Sequence, residues 1–226
     1  MIKNKFVWLL LNIESLCVCF FKNRKIEADI ISQGEKQMYL DGGFSQEKYA
    51  TLLNAAFREE QEAMYELGMI WTITGTNHND QERVLKGIEF VVKAADRGLA
   101  VAACYLGTIY HEGKYGIVVD MKKAVSYYKQ GAEGGDALAM SNYGIALQGG
   151  DGGLQRDDVE AFSWLKRAAD TDETLGVAQY NVALAYHAGR GTRTDRAMAK
   201  KYFQRAAKAG IGMAQVWLYS EDYNKL

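Results

Sequence analysis

Few side chains in this 226-residue sequence have the types and spacing that catalysis or metal binding requires. Its three histidines, His78, His111 and His187, are the residues best suited to act as bases or to ligate a metal near neutral pH. His111 and His187 occupy equivalent positions of a repeated pattern, two repeats apart, so several helix layers separate them. The pattern therefore predicts surface or partner-contacting histidines, and no shared metal or catalytic site.

A glycine-rich segment, Gly149–Gly153, could be mistaken for a phosphate-binding loop. It lacks the GK[ST] ending and a preceding strand, so it fails the test for a P-loop. The acids near it, Asp151, Asp157 and Asp158, lack the D-x-D-x-D-G spacing of a calcium loop. A long connection between two helices is the better interpretation, and we predict neither a cofactor nor a metal.

The cysteines offer no obvious chemistry either. Cys17, Cys19 and Cys104 are an odd number without a CxxC pair, which argues against a disulfide framework and a zinc site. Cys104 lies in an apolar helical pattern, which favours a buried, inert thiol. No nucleophile, base and orienting group converge in the sequence, so we predict that the protein is not an enzyme.

The composition is that of an ordinary globular protein, with 48% apolar and 24% charged residues. The 27 basic and 28 acidic residues nearly cancel, which argues against a general nucleic-acid binder. A basic window from Arg190 to Lys208 predicts the solvated face of a helix, and the alternative is a contact with an acidic partner or with membrane headgroups. The chain has no proline and 23 glycines, so glycine must end its helices and form its turns.

Residues 1–25 form a separate apolar segment with basic flanks. The run Phe6–Phe21 is interrupted by Glu14 and is shorter than the roughly 20 residues that span a bilayer. Two interpretations stay open: a signal or membrane anchor, and a helix packed on the body of the protein. If residues 3–21 act as a signal or anchor, the protein is periplasmic or membrane-associated; otherwise it is cytoplasmic.

Two blocks repeat in step along the rest of the chain. An alanine recurs at intervals of 36–39 residues, at Ala63, Ala102, Ala139, Ala178 and Ala214. A second small residue recurs at intervals of 37–38 residues, at Gly87, Ala124, Ala161 and Ala199, each followed three residues later by an aromatic residue. Both blocks have helical periodicity, and one helix pair cannot bury its apolar face alone. The pattern therefore predicts stacked pairs of helices.

The connection inside each pair has its own signature. A glycine is placed to end each first helix in a left-handed conformation, and an aspartate is placed to cap each second helix. These residues are Gly113, Gly150 and Gly189, and Asp120, Asp157 and Asp195.

The combined pattern A-x-x-x-L-G-x-x-Y-x-x-G-x-G-x-x-x-D-x-x-x-A-x-x-(aromatic)-x-x-x-A-A resembles the Sel-one-like repeat family, a relative of the tetratricopeptide repeat. The copy at 102–132 carries it most fully, and the resemblance covers about residues 62–220. It implies an all-α, right-handed superhelical α/α solenoid of stacked antiparallel helix pairs. We predict a repeat domain over 62–226, a degenerate helix pair over 26–61 and the apolar segment 1–25.

The resemblance implies a bacterial protein–protein interaction module or adaptor, which binds a protein or peptide in the concave groove lined by its first helices. Tetratricopeptide domains often hold a peptide backbone with an asparagine, and Asn142 and Asn181 stand at the matching position here. The other predicted groove residues are Tyr65, Met69, Tyr105, Thr108, His111, Ile145, Tyr180 and His187.

Two alternatives follow from the same resemblance. Some small proteins of this family with an export-like N-terminus are similar to cognate inhibitors, or immunity proteins, of secreted bacterial effectors. Some cysteine-rich members are linked to β-lactam binding, which suggests a hydrolase as a remote alternative. This chain lacks the paired cysteines of those members.

Overall fold

The computed structural model describes residues 46–220, which contain ten α-helices and no strand. The helices are α1 Gln46–Phe57, α2 Gln61–Asn77, α3 Gln81–Asp96, α4 Ala100–Glu112, α5 Met121–Glu133, α6 Ala137–Gly149, α7 Asp158–Thr171, α8 Gly176–Ala188, α9 Arg196–Lys208 and α10 Gly212–Tyr219. The predictions for residues 1–25 and for the first part of the 26–61 helix pair lie outside the described residues. Within the described range, no helix is long and apolar enough to cross a membrane.

The chain divides into two compact units, Met1–Asn54 and Ala55–Leu226, and the boundary falls inside α1. The second unit contains every helix from α2 onward. Its even-numbered helices are the first helices of the repeats and its odd-numbered helices are the second helices. From α2 onward, each helix packs against the next one along the chain, and α4 also contacts α6. The predicted right-handed superhelical α/α solenoid of helix pairs is confirmed.

The predicted helix ends are confirmed in three repeats. The side-chain carboxylates of Asp120, Asp157 and Asp195 accept hydrogen bonds of 2.9–3.0 Å from backbone N–H groups. The donors lie two or three positions further along the chain. These bonds satisfy N–H groups that the first turn of a helix leaves without a partner. The glycines that end the first helices have φ angles of 67° to 75°, which glycine adopts without a Cβ clash.

Small residues bring the two helices of a pair close together. A Cβ on Gly107 of α4 would lie 2.5 Å from the ring of Tyr128 on α5. A Cβ on Gly144 of α6 would lie 2.8 Å from Cγ of Leu165 on α7. Both distances are too short for any side chain, so these glycines let a large apolar side chain of the second helix pack directly on the first helix.

Successive repeats are connected through the second helices. The connection of each later repeat packs on the second helix of the repeat before it, so a Cβ on Gly191 would lie only 1.8 Å from the carbonyl oxygen of Asp158. Gln130 donates a side-chain hydrogen bond of 2.8 Å to the carbonyl of Ala95. Arg205, at the equivalent position two repeats later, donates one of 2.5 Å to the carbonyl of Ala169. These bonds satisfy carbonyls at helix C-termini and fix the stacking of the repeats.

Candidate binding surface

The first helices carry one equivalent set of residues, most of which are partly or fully exposed. In α4, Val101, Tyr105 and Thr108 follow i, i+4, i+7 and are partly or fully exposed, whereas Ala102 and Leu106 between them are buried. We call this surface the first-helix face. It consists of Glu62, Tyr65, Glu66 and Met69 on α2; Val101, Cys104, Tyr105 and Thr108 on α4; Leu138, Ser141, Asn142 and Ile145 on α6; Val177, Tyr180, Asn181 and Leu184 on α8; and Met213, Val216 and Trp217 on α10.

The two predicted asparagines are half-buried on this face but differ in their bonding. The side-chain nitrogen of Asn181 donates to the carbonyl of Val177 in its own helix at 3.0 Å, which leaves its amide oxygen and its second N–H able to meet a partner. The Asn142 side-chain amide makes no hydrogen bond with another described residue. Both side chains can therefore bond an approaching backbone, Asn142 through its whole amide and Asn181 through its oxygen and remaining N–H.

The predicted residues Tyr65 and Tyr105 meet edge to face, with ring centroids 6.0 Å apart and an interplanar angle of 81°. A third tyrosine that the sequence analysis missed, Tyr115, joins them, and its hydroxyl lies 2.9 Å from that of Tyr105. Burial and this hydrogen bond raise the pKa of Tyr105. The signal for Tyr115 was a departure from the repeat, because it stands where Gly152 and Gly191 stand in the next two copies. Like them it has a positive φ, 60°, which is uncommon for a tyrosine.

A carboxylate close to Tyr65 was also missed from the sequence. Asp136 caps α6 by accepting a 2.7 Å hydrogen bond from the backbone of Ala139. It is also close to Cys104, which is buried as predicted. Burial, the charge of Asp136 and a hydrogen bond to that carboxylate raise the pKa of Cys104. Burial and then the charges of Cys104 and Asp136 raise the pKa of Tyr65. The buried Cys104 thiol thus lies among the residues that support Tyr65.

The two predicted histidines contact different partners. His111 is exposed, and its Nδ1 lies 3.2 Å from the hydroxyl of Tyr128 on the second helix of the same repeat. His187 lies with its ring centroid 4.6 Å from that of Trp217 on α10. Trp217 also donates a hydrogen bond of 3.2 Å to the hydroxyl of the predicted residue Tyr180. Across residues 46–220, no group of three or more His, Cys, Asp or Glu side chains is arranged to hold a metal ion.

The other predicted residues, Met69, Thr108 and Ile145, are half-buried on the first-helix face. The Thr108 hydroxyl donates to the carbonyl of Cys104 in its own helix, and Ile145 packs against the core. Met69, Thr108 and Ile145 therefore add mainly apolar area to the first-helix face.

A row of exposed aliphatic side chains runs along the same face and was also missed. We call it the apolar row; its members are 39% to 57% exposed and are Val101, Leu138, Val177 and Met213. Each directly precedes a repeated alanine, so the period that located the helices also contained the signal for this row. Large apolar side chains left exposed at one equivalent position in successive repeats are typical of a contact surface.

A solenoid of helix pairs that exposes aromatic, amide and aliphatic side chains on its first helices has the architecture of a helical-repeat interaction scaffold. The sequence model of the Sel1 repeat family matches residues 61–99, 100–136, 137–170 and 176–211, and the chain belongs to this family. The predicted resemblance is therefore confirmed. Sel1 repeats generally mediate protein–protein interactions, and their fold is typically a non-catalytic scaffold.

Solved structures of the same kind resemble the chain. A Sel1 repeat protein from Oxalobacter formigenes is 26% identical, with a TM-score of 0.66 over 80% of this chain and 72% of that one. The protective antigen c5321 of uropathogenic Escherichia coli is 22% identical, with a TM-score of 0.39 over 75% and 50% of the two chains. Helicobacter pylori cysteine rich protein B is 18% identical, with a TM-score of 0.31 over 78% and 99%. No curated protein shows significant similarity to the chain.

Proposed function

We propose that this chain is a non-catalytic binding module that holds an extended segment of a partner protein along its first-helix face. The observation that carries the proposal is the apolar row beside Tyr105, Asn142 and Asn181, since these groups recur in one register through successive repeats. An extended segment has both chemistries that this surface needs, apolar side chains and backbone hydrogen-bonding groups.

The dimensions agree with such a ligand. Helices in contact have axes about 8–10 Å apart, and α4 contacts α6 directly. An extended chain advances about 3.3 Å per residue, so about three residues span one repeat. A segment of roughly a dozen residues would reach every first helix from α2 to α8. The cognate-inhibitor alternative places an effector protein on this same face and stays a prediction.

Selection from a library of random 12-residue peptides tests the proposal without a known partner. Peptides that bind the purified full-length chain are titrated by calorimetry against the wild type and the double variant Asn142→Ala with Asn181→Ala. Loss of the backbone hydrogen bonds is expected to weaken binding by about tenfold or more. Helix content and the melting temperature are expected to stay unchanged, because both side chains lie at the surface of the solenoid.

The matched control is Gln204→Ala, which removes an exposed amide from the second helix α9. This variant is expected to bind the selected peptides as the wild type does. If the double variant kept full affinity, or if no library peptide bound, the proposal would be wrong.

A further inference from the structure

Cations and aromatic rings of this chain are paired on one side of the solenoid. Four rings on the second helices, or stacked against them, each have a cation of the same chain 4.3–5.4 Å from the ring centroid. The pairs are Lys93 over Phe90, Lys123 over Tyr110, Arg167 over Trp164 and Arg205 over Tyr202. On this side of the molecule the attraction between a cation and a ring is therefore already satisfied within the chain.

The first-helix face has the opposite composition. Among its positions on α2, α4, α6, α8 and α10 there is no lysine and no arginine, and its charged residues are Glu62 and Glu66. Both glutamates lie on α2, at the same end of the face as Tyr65 and Tyr105, and both are exposed. The basic residues within 46–220 thus stand at none of the positions that define this face, and the charged residues at its α2–α4 end are acidic.

At this end the structure assembles three tyrosine rings. Tyr65 and Tyr105 are nearly perpendicular at 6.0 Å, and Tyr115 lies beside Tyr105 at 6.4 Å with an interplanar angle of 45°. All three are half-buried, so part of each remains open to solvent. The faces of aromatic rings carry partial negative charge and attract cations.

The position of Tyr115 is held from both sides. Its hydroxyl bonds that of Tyr105, and its backbone carbonyl accepts a 3.3 Å hydrogen bond from the side chain of Gln81. The equivalent glycines, Gly152 and Gly191, instead pack their backbone on the preceding second helix. The second repeat therefore replaces a packing glycine by a tyrosine that turns toward the first-helix face.

A negative charge close to Tyr65 is that of Asp136. Asp136 caps the N-terminus of α6, and its charge acts on Tyr65 of α2 and on the buried thiol of Cys104 of α4. Residues of α2, of α4 and the turn after it, and of the α6 cap thus contribute to one small area of aromatic rings with a carboxylate nearby. Aromatic faces with a carboxylate behind them complement a positively charged side chain, and the planar guanidinium of arginine also stacks on rings.

We infer that Tyr65, Tyr105, Tyr115 and Asp136 form a subsite for an arginine side chain of the bound partner segment. The inference rests on the proposed function and deepens it, since it states the chemistry of one residue of the ligand. It commits to a cationic partner segment because the charge of the face, its exposed glutamates and its tyrosines all complement one. The α6–α8 part of the face, with its amides and aliphatic side chains, takes the neutral part of the segment.

Titration of isotope-labelled full-length protein with capped amino acids tests the subsite directly by NMR. The probes are N-acetyl-arginine methylamide, its uncharged isostere N-acetyl-citrulline methylamide, and N-acetyl-glutamate methylamide. The arginine probe is expected to bind saturably with an apparent Kd of roughly 10 mM and to shift amide signals around Tyr105, Tyr115 and Asp136. Added salt is expected to weaken it, and the other two probes are expected to bind at least about fivefold more weakly.

Variants separate the charge from the rings. Asp136→Asn keeps the helix cap, because asparagine caps as well as aspartate, yet it should weaken arginine binding by about fivefold. The matched control Asp157→Asn makes the same change at the cap of α7 and should leave the binding unchanged. Tyr65→Leu should weaken binding, whereas Tyr105→Phe keeps the ring and should retain it.

Equal binding of arginine and citrulline, no saturable binding of arginine, or an Asp136→Asn variant with unchanged affinity would each overturn the subsite. None of these results would remove the proposed function, which is tested separately by the library peptides and the asparagine variants. Conversely, if the arginine probe binds while no library peptide does, the subsite stands and the extended-segment proposal fails.

Discussion

The two sides of this solenoid use the same kinds of side chain for different purposes. On the second helices, aromatic rings lie under cations of the same chain, as Arg167 lies 4.3 Å from the ring of Trp164. On the first-helix face, Tyr65 and Tyr105 contact each other, Tyr105 also meets a third tyrosine, and no lysine or arginine stands at the positions that define this face. On the second-helix side, these rings are therefore already paired with cations of the same chain, whereas the first-helix face keeps aromatic and amide groups able to contact a partner.

The contacts between repeats differ in the same way. On the second-helix side, backbone meets backbone at Gly191, and Arg205 bonds a carbonyl of the preceding repeat. On the first-helix face, the contacts between repeats include the edge-to-face contact of Tyr65 with Tyr105. They also include the hydrogen bond that the Trp217 ring N–H donates to the Tyr180 hydroxyl. Because closely packed backbone tolerates no added atom, stability should depend most on the second-helix side.

The largest effect on stability is expected from Gly191→Ala, which adds a methyl group at the closest contact between repeats. The new Cβ would lie 1.8 Å from the carbonyl oxygen of Asp158, at a φ of 70°. We expect the free energy of unfolding to fall by about 3 kcal/mol or more, from backbone strain and steric overlap together. Urea denaturation followed by circular dichroism measures the loss.

Gly210→Ala is the matched control, because Gly210 also has a positive φ, 90°, but has open space around the position of a Cβ. It should cost about 1 kcal/mol, from the backbone conformation alone. Equal losses in the two variants would contradict the assignment of the larger effect to the contact between repeats.

An intermediate effect is expected from Asp170→Asn on α7. Burial alone would raise the pKa of Asp170, but hydrogen bonds from Lys166, Tyr202 and Arg205 outweigh it and lower that pKa. A carboxylate whose folded pKa is lowered stabilises the protein above its unfolded pKa of about 4, and this contribution is lost as the pH falls through the folded value. Since the Asp170 side chain is 43% exposed, we expect the variant to lose about 1 kcal/mol or less at pH 7.

Denaturation of the wild type and this variant at neutral and acidic pH measures the difference, which should shrink below about pH 4. Glu89→Gln is the control: it breaks an exposed ion pair with Lys93 on α3 and should cost less than about 0.5 kcal/mol. If the difference in the free energy of unfolding between the wild type and Asp170→Asn grew on acidification, the hydrogen-bonded carboxylate would not be what stabilises the contact between α7 and α9.

The smallest effect on stability is expected on the first-helix face. Leu138→Ser with Val177→Ser removes two side chains of the apolar row that are 47% and 50% exposed, so the free energy of unfolding should change by less than about 1 kcal/mol. The same change at a buried position of α8, Val182→Ser, should cost more than about 2 kcal/mol. Similar losses in these two experiments would mean that the apolar row belongs to the core, and the comparison of the two sides would fail.

Most of the fold follows from positions along the chain. The repeated alanines and the glycine–aspartate connections are enough to predict the helix pairs, the caps at Asp120, Asp157 and Asp195 and the buried Cys104, all of which the structure confirms. The same period indicates which side chains share the first-helix face. These features are predictable because helix periodicity, capping and burial depend on residues close together in sequence or at one fixed interval.

The sequence by itself therefore determined the Sel1 repeat architecture and the register of its first helices. Only the tertiary structure decided which groups on that register are already bonded: the Asn181 nitrogen to its own helix, His111 to Tyr128, and the Tyr115 hydroxyl to Tyr105. It alone brought Asp136, the cap of α6, close to Tyr65 of α2 and Cys104 of α4. The physical reason is that the repeat period fixes the position of a side chain along its helix, whereas its partners come from other helices and from a left-handed turn that no spacing specifies.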